Sequence, residues 1–144
     1  MKKVNQKAAA TLDILTEGLN GTRENQVKKV NNNPVFMEVV IEYLNDEPIF
    51  NGKRYVVGHY YQQNGDRMCD PEMEFISDDD GNYYPAFFRQ DGVFPLMQES
   101  IITGAADGKL RINRTQQKDQ AVFAGQWMAN IQEQQQLNRK VKRS

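Results

Sequence analysis

Four titratable residues near the middle of the chain have the chemistry of a metal or acid-base site: His59, Asp70, Glu72 and Glu74. His59 is the only histidine. Imidazole and carboxylate groups are common ligands of divalent metal ions, and the same groups exchange protons in hydrolysis. If the side chains converge, they predict a metal-dependent hydrolase or nuclease. In that enzyme His59, Asp70 and Glu72 hold Mn²⁺ or Zn²⁺, and Glu74 acts as the base.

The same residues also suit a half-exposed face of a β-sheet that has no activity. In that interpretation His59 hydrogen-bonds Asp70, and Glu72 pairs with Arg89 on the next strand. Isolated cross-strand pairs contribute about 0.2–1 kcal/mol each, so they require no functional explanation. We therefore predict no metal and no cofactor, and we keep the hydrolase or nuclease as an alternative.

Aromatic residues are expected on the same face as these carboxylates. An aromatic and acidic surface suits a protein partner that presents basic residues. It suits nucleic acid less well, because interleaved carboxylates repel phosphate. The leading prediction is therefore a protein-binding module, whose binding surface comprises Tyr55, Tyr61, Glu72, Glu74, Phe87 and Arg89.

A second alternative is nucleic-acid binding through the C-terminal tail, which contains Arg139, Lys140, Lys142 and Arg143. Such a cluster alone gives only a salt-sensitive, nonspecific attraction to phosphate. The 144-residue chain carries a net charge of −1, so no overall field favours nucleic acid or an anionic membrane. No apolar run approaches the ~20 residues of a membrane span. We expect no membrane partner and a cytoplasmic location.

The turn sequence Asn64-Gly65 must position the candidate residues. Asn-Gly between β-rich runs is a strong hairpin signal, because a two-residue type I′ turn needs positive φ at both positions. Such a turn sets Gln63 opposite Asp66, Tyr61 opposite Met68, His59 opposite Asp70, Val57 opposite Glu72 and Tyr55 opposite Glu74. Alternation then assigns each side chain to a face. The predicted polar face holds Tyr55, Val57, His59, Tyr61, Asp70, Glu72 and Glu74. The predicted core face holds Val56, Tyr60, Cys69, Met73 and Phe75.

The predicted register depends on how Pro71 is accommodated in the strand. Proline cannot donate to a strand ladder and suggests a bulge or an edge. A β-bulge at Pro71 would shift the cross-strand pairing beyond it by one residue. Cys69 is assigned to the core, where a thiol is inert.

A second turn, Asp80-Gly81, extends the arrangement to a third strand. With these two residues as the loop, Met73 faces Phe88 and Glu74 faces Phe87. Phe75 then faces Ala86, and Tyr84 joins the core face. Because the two registers agree, we predict an antiparallel meander. The segment Asp78-x-Asp80-x-Asn82 resembles the start of a calcium-binding EF-hand loop, but Tyr83 and Arg89 replace its glycine and its last glutamate. Turn chemistry explains the segment.

The rest of the chain supplies helices and further strands. Apolar periodicity predicts helices over residues 4–20 and 115–137. We predict strands over residues 35–44 and 93–102, and loops over residues 21–33, 45–52 and 103–114. The prediction is an α+β fold, with an antiparallel meander sheet of four to five strands and the N- and C-terminal helices packed on one face. We expect residues 1–144 to form one domain, with disordered tails at 1–3 and 138–144.

Three motifs carry a resemblance to a known family. They are Asn64-Gly65-Asp66-x-Met68-x-Asp70-Pro71-Glu72-Met73-Glu74-Phe75, Tyr84-Pro85, and Phe123-Ala124-x-x-Trp127-x-x-Asn130-Ile131. Together they resemble an uncharacterised bacterial domain family carried by plasmids, conjugative elements and phages. The resemblance covers about residues 35–137. It implies an α+β fold and a mobile-element setting, and it implies no activity.

Overall fold

The computed structural model describes residues 1–21, 26–92, 96–103 and 109–137. These residues contain two helices and eight strands, and a single 3₁₀ turn at Pro48–Phe50. In chain order the elements are α1 (Gln6–Thr16), β1 (Val27–Val30), β2 (Val39–Glu47), β3 (Gly52–Gln63), β4 (Asp66–Ser77), β5 (Tyr83–Gln90), β6 (Leu96–Glu99), β7 (Ile101–Ile102), β8 (Arg111–Ile112) and α2 (Arg114–Gln134). Neither helix combines the length and the apolarity needed to cross a bilayer.

The main sheet is an antiparallel meander in the order β1-β2-β3-β4-β5-β6. The α+β fold and the meander are confirmed, but the sheet has six strands rather than four to five. The strand β1 lies in a segment predicted as loop, because two lysines in a four-residue run hide its alternation. The strands β7 and β8 form a separate two-stranded ribbon. Parts of the predictions over 21–33, 93–102 and 103–114, and the basic tail at 138–144, lie outside the described residues.

The hairpin at Asn64-Gly65 is confirmed. The loop has two residues, and their φ angles of 53° and 83° are the positive values that Asn and Gly tolerate. Gln63 pairs with Asp66, and Tyr61 pairs with Met68, as predicted.

A β-bulge changes the register farther from this turn. Tyr60 pairs with Cys69 but Gly58 pairs with Glu72, so the single residue His59 lies opposite two residues, Asp70 and Pro71. The predicted pairings of Val57 with Glu72 and of Tyr55 with Glu74 are therefore wrong. Val57 pairs instead with Met73, and Tyr55 with Phe75. The missing N–H of Pro71 explains why the ladder is interrupted here.

The bulge exchanges the faces that the sequence predicted for β3. Tyr55, Val57 and His59 are each less than 10% exposed and lie on the helix-covered side with Met73 and Phe75. The assignment of Tyr55, Val57, His59 and Tyr61 to the polar face is therefore wrong, and so is the assignment of Val56, Tyr60 and Cys69 to the core face. Val56, Tyr60 and Cys69 lie on the opposite side, which we call the open face.

The second turn is longer than predicted. Ser77 pairs with Tyr83, so the loop contains five residues, 78–82, instead of the two residues Asp80 and Gly81. The Asp78 carboxylate accepts hydrogen bonds from the backbone N–H groups of Asp80 and Asn82, at 3.0 and 2.9 Å. Side-chain-to-backbone bonds of this kind stabilise turns.

The pairings of Met73 with Phe88 and of Glu74 with Phe87 are confirmed. A second register shift then sets Phe75 opposite Pro85 rather than Ala86. As a result Tyr84 and Ala86 belong to the open face, not to the core face that was predicted.

The helices bury one side of the sheet. The apolar side chains of α1 and α2 pack with those of β2, β3 and β4 in one core, whose fully buried members include Leu12, Leu15, Ile41, Val57, Met73, Phe75, Met128 and Ile131. A smaller cluster, built on Ile76, Ala86 and Ile101, lies on the open face beneath the β7–β8 ribbon and the 3₁₀ turn. The rest of the open face is not covered by described residues, and it is where the polar side chains of β3 and β4 emerge.

Candidate functional site

His59 lies beneath α2 and is 7% exposed. Its Nδ1 atom is 3.0 Å from the carbonyl oxygen of Glu38, so Nδ1 carries the hydrogen, because a carbonyl only accepts. Its ring meets the Trp127 ring edge-on, at 5.5 Å between centroids. The surroundings of His59 are those of a core histidine.

The structure does not bring His59 to the carboxylates that were predicted beside it. Glu72 and Glu74 lie on the open face, and Asp70 accepts a hydrogen bond from Gln90 at the bulge. Among the described residues, one group of three carboxylates lies close enough to share an ion, at Asp78, Asp79 and Asp80. Both Asp78 oxygens already accept hydrogen bonds within the turn, as expected of turn chemistry.

Arg54 of β3 bonds several polar side chains of the open face. It was not among the residues predicted from the sequence. The Arg54 Nε atom donates to Glu47 at 2.8 Å, and Nη1 donates to Glu74 at 2.9 Å. Nη2 is 3.4 Å from the Thr103 hydroxyl. Register explains the convergence: Arg54 pairs with Asn45 on one side and with Ile76 on the other, so Glu47 and Glu74 both lie within its reach.

Around Arg54 the open face forms a cavity of about 540 Å³, which we call the acidic cavity. Three carboxylates line it, from Glu47, Glu74 and Glu99, against the single guanidinium of Arg54. When all three are ionised, these four side chains carry a net charge of −2. The apolar part of the lining includes Ala86, Phe87, Ile101 and Ile102.

The carboxylates of this cavity are not fully neutralised. Burial raises the pKa of Glu74 above its ordinary value, and the charges of Glu72 and Glu99 raise it further, although hydrogen bonding to Arg54 lowers it. Burial lowers the pKa of Arg54, but its hydrogen bonds to Glu47 and Glu74 outweigh that effect and the pKa is raised. The excess of three carboxylates over one guanidinium in the lining would stabilise an additional cation in the cavity.

Glu47 is held in the cavity through one of its carboxylate oxygens. Its Oε1 atom accepts hydrogen bonds from Arg54, from Asn45 at 3.1 Å and from Thr103 at 3.3 Å. No described residue donates to its Oε2 atom, although the side chain is only 6% exposed. Glu47 lines the cavity, where its Oε1 atom is held by these three donors.

A second polar group on the open face surrounds Glu72. Tyr60 donates to Glu72 Oε1 at 2.9 Å, and the Cys69 thiol donates to Oε2 at 3.6 Å. Burial raises the pKa of Cys69 to about 11, with a further contribution from Glu72, so the thiol stays protonated and unreactive. Glu72 and Arg89 are cross-strand partners, as predicted. Among the described residues, however, Arg89 forms its ion pair with Asp91, at 3.0 Å from its Nε atom, and not with Glu72.

The predicted binding residues separate into two groups. Glu72, Glu74, Phe87 and Arg89 share the open face and are half-buried. Tyr55 is in the core, where its hydroxyl donates to the Leu19 carbonyl at 3.1 Å. Tyr61 follows His59 on the helix side of β3, near the hairpin turn. Glu47 and Arg54 were missed because Glu47 fell in a predicted loop and a lone strand arginine resembles any surface charge.

Comparison with known proteins identifies a family. A search of curated proteins finds no match, and a search of solved structures finds none either. A family model described as a domain of unknown function, DUF6908, matches residues 10–137. The match covers α1 from residue 10 onward, the whole six-stranded sheet and all of α2. The chain therefore belongs to the DUF6908 family, whose function is unknown.

Proposed function

We propose that this protein is a protein-binding module that takes a basic side chain of its partner into the acidic cavity. The observation that supports this proposal is the charge of the lining, where three carboxylates surround one guanidinium in a cavity with an apolar floor. A lysine or arginine side chain would place its aliphatic stem on Phe87 and Ile102, two apolar lining residues with exposed surface, and its charge among the carboxylates.

The alternatives have less support. Phosphate is disfavoured in this cavity by its negative charge. An enzyme built on His59 would need this buried residue to reach Glu72 through the sheet. The resemblance carried by the motifs quoted above supports a bacterial mobile-element setting, which we include in the proposal together with a cytoplasmic location.

A titration followed by nuclear magnetic resonance tests the proposal. The probes are acetyl-lysine amide, acetyl-arginine amide and the uncharged acetyl-norleucine amide. We expect the two cations to shift the backbone amide signals of Glu74, Glu99 and Thr103, with roughly millimolar affinity for a single side chain. Added salt should weaken this binding, because the attraction is largely electrostatic.

Matched variants separate the cavity from the general surface. Glu74→Gln and Glu99→Gln should each weaken binding of the cationic probes about two- to five-fold. Glu133→Gln removes an exposed charge of α2 instead and should have no effect. Equal shifts with the norleucine probe, or unchanged affinity in the cavity variants, would contradict the proposal.

A further inference from the structure

Phe87 of β5 lies between two carboxylates of the acidic cavity. Its cross-strand partners are Glu74 of β4 on one side and Glu99 of β6 on the other. Paired residues of an antiparallel sheet project from the same face, with Cβ atoms about 4.5–5.5 Å apart. All three side chains line the acidic cavity. The cavity therefore presents an aromatic ring with a carboxylate on each side of it.

The rest of the described chain does not place a cation over this ring. Phe87 is half-buried, and no ring or cation of residues 1–21, 26–92, 96–103 and 109–137 stacks on it. Glu99 is exposed and forms no ion pair with these residues. Arg89, two residues along β5 on the same face, is paired with Asp91 instead.

The two carboxylates that flank Phe87 repel each other. The charge of Glu99 reaches Glu74 and contributes to the raised pKa of its carboxyl group. Arg54 compensates Glu74 from the other direction, because β4 lies between β3 and β5 in the sheet. A further cation over Phe87 would be attracted by both carboxylates and would reduce their mutual repulsion.

An aromatic ring between two carboxylates suits a guanidinium better than an ammonium. A guanidinium is planar and weakly hydrated, so it stacks on aromatic rings, and its N–H groups point outward in its own plane. Over Phe87 these groups would point towards the carboxylates on either side. An ammonium is a compact, strongly hydrated charge and loses more hydration for the same contacts. A trimethylated ammonium binds in cages of several rings, and Phe87 is the one aromatic residue of the described lining.

We propose that the acidic cavity selects an arginine of the partner over a lysine, with the guanidinium stacked on Phe87 between Glu74 and Glu99. This inference rests on the proposed function, which requires a basic side chain of either kind, and it specifies the side chain. Phe87 then determines specificity, while the carboxylates attract either cation.

Titrations of the full chain with amide probes, followed by nuclear magnetic resonance, test the inference. Acetyl-arginine amide should bind about two- to five-fold more tightly than acetyl-lysine amide, which is the effect expected of one partly exposed cation–π contact. Acetyl-citrulline amide, which has the shape of arginine without its charge, should not bind measurably. Acetyl-trimethyllysine amide should bind no more tightly than the lysine probe.

Variants at Phe87 assign the preference to the ring. Phe87→Leu keeps an apolar side chain and should bind the arginine and lysine probes equally. Phe87→Tyr keeps the ring and should keep the preference. Phe123→Leu removes a ring that is 38% exposed on the helix side of the sheet and should leave the preference unchanged. The dispersion of the amide signals shows whether each variant is folded, and the wild-type probe series decides the inference even if Phe87→Leu is not.

The outcomes separate this inference from the function on which it rests. Equal affinity of the wild type for arginine and lysine, or a preference that survives in folded Phe87→Leu, would overturn the arginine-selective site and leave the basic-partner proposal standing. Tightest binding of the trimethyllysine probe would also overturn it, in favour of a methylated partner. If no cationic probe binds, both proposals are wrong.

Discussion

At the scale of single residues, Arg54 is the side chain on which the open face depends. It joins Glu47 at the end of β2 to Glu74 in β4. The side chains of Arg54 and Glu47 are 12% and 6% exposed, so most of their hydration is lost in the folded state. A desolvated carboxylate that loses its only cation is costly, even where the intact pair adds little net stability.

Arg54→Met should therefore lower the free energy of unfolding by about 2–4 kcal/mol. The cost arises because Glu47 and Glu74 are left facing each other without a cation. Urea denaturation of the variant and the wild type at neutral pH measures the difference.

Two further variants show whether unpaired charge causes this loss. Arg67→Met also removes an arginine, one that lies 3.7 Å from the Tyr60 ring centroid at an exposed position, and it should cost about 1 kcal/mol or less. Adding Glu47→Gln and Glu74→Gln to Arg54→Met should restore part of the stability. If the triple variant is less stable than Arg54→Met, the explanation from unpaired charge is wrong.

At the scale of elements, the turn between β4 and β5 depends on Asp78. Its carboxylate accepts bonds from two backbone N–H groups and from the Asn82 and Tyr84 side chains. Burial raises the pKa of Asp78, but these hydrogen bonds outweigh it and the pKa falls below the ordinary 3.8. Because the folded state holds the ionised form more strongly, Asp78 stabilises the fold above pH 3.8, and this contribution is lost as the pH falls through the lowered folded value.

Asp78→Ala should cost about 1–3 kcal/mol at neutral pH, because donors in the turn lose their acceptor. The difference from the wild type should shrink as the pH is lowered below 3.8. Thermal unfolding across a pH series measures it. Asp79→Ala, in the same turn and exposed, should stay within about 0.5 kcal/mol, and a similar loss in both variants would contradict the role given to Asp78.

The elements also show what a sequence can and cannot predict here. Asn64-Gly65 fixed a turn correctly, because its φ requirement is local. Alternation alone could not assign the faces of β3. The assignment changes if the strand ladder contains a bulge at Pro71, and the alternation of side chains does not show whether that bulge forms. The ion pairs of Arg54 could not be predicted from the sequence either. Glu47 lies near Arg54 because β2 extends through residues 45–47, a segment that the sequence predicted as a loop.

At the scale of the whole molecule, the sheet separates two environments. The helix side is apolar and contains His59, and the open side contains the carboxylates and Arg54. The predicted enzyme needs both sets of groups at one centre, and the sheet lies between them. The protein-binding proposal needs only the open side.

His59→Ala should therefore leave any binding of Mn²⁺ or Zn²⁺ unchanged, as measured by calorimetry. The same variant should lose about 1–3 kcal/mol of stability, because a buried ring in contact with Trp127 is removed. Trp127→Phe, which keeps an aromatic ring at the contact, is the matched control for packing. Loss of metal binding in His59→Ala alone would restore the metal-dependent enzyme as the better hypothesis.

The bulge at Asp70 and Pro71 has a consequence for recognising distant homologues. The one extra residue of β4 reverses, halfway along the β3–β4 hairpin, which side chains of one strand lie on the same face as those of the other. A homologue lacking that residue must exchange the polar and apolar positions of one strand over the rest of the hairpin. Alignments that place gaps only in turns would miss it, so searches for remote homologues should allow a one-residue deletion inside β4.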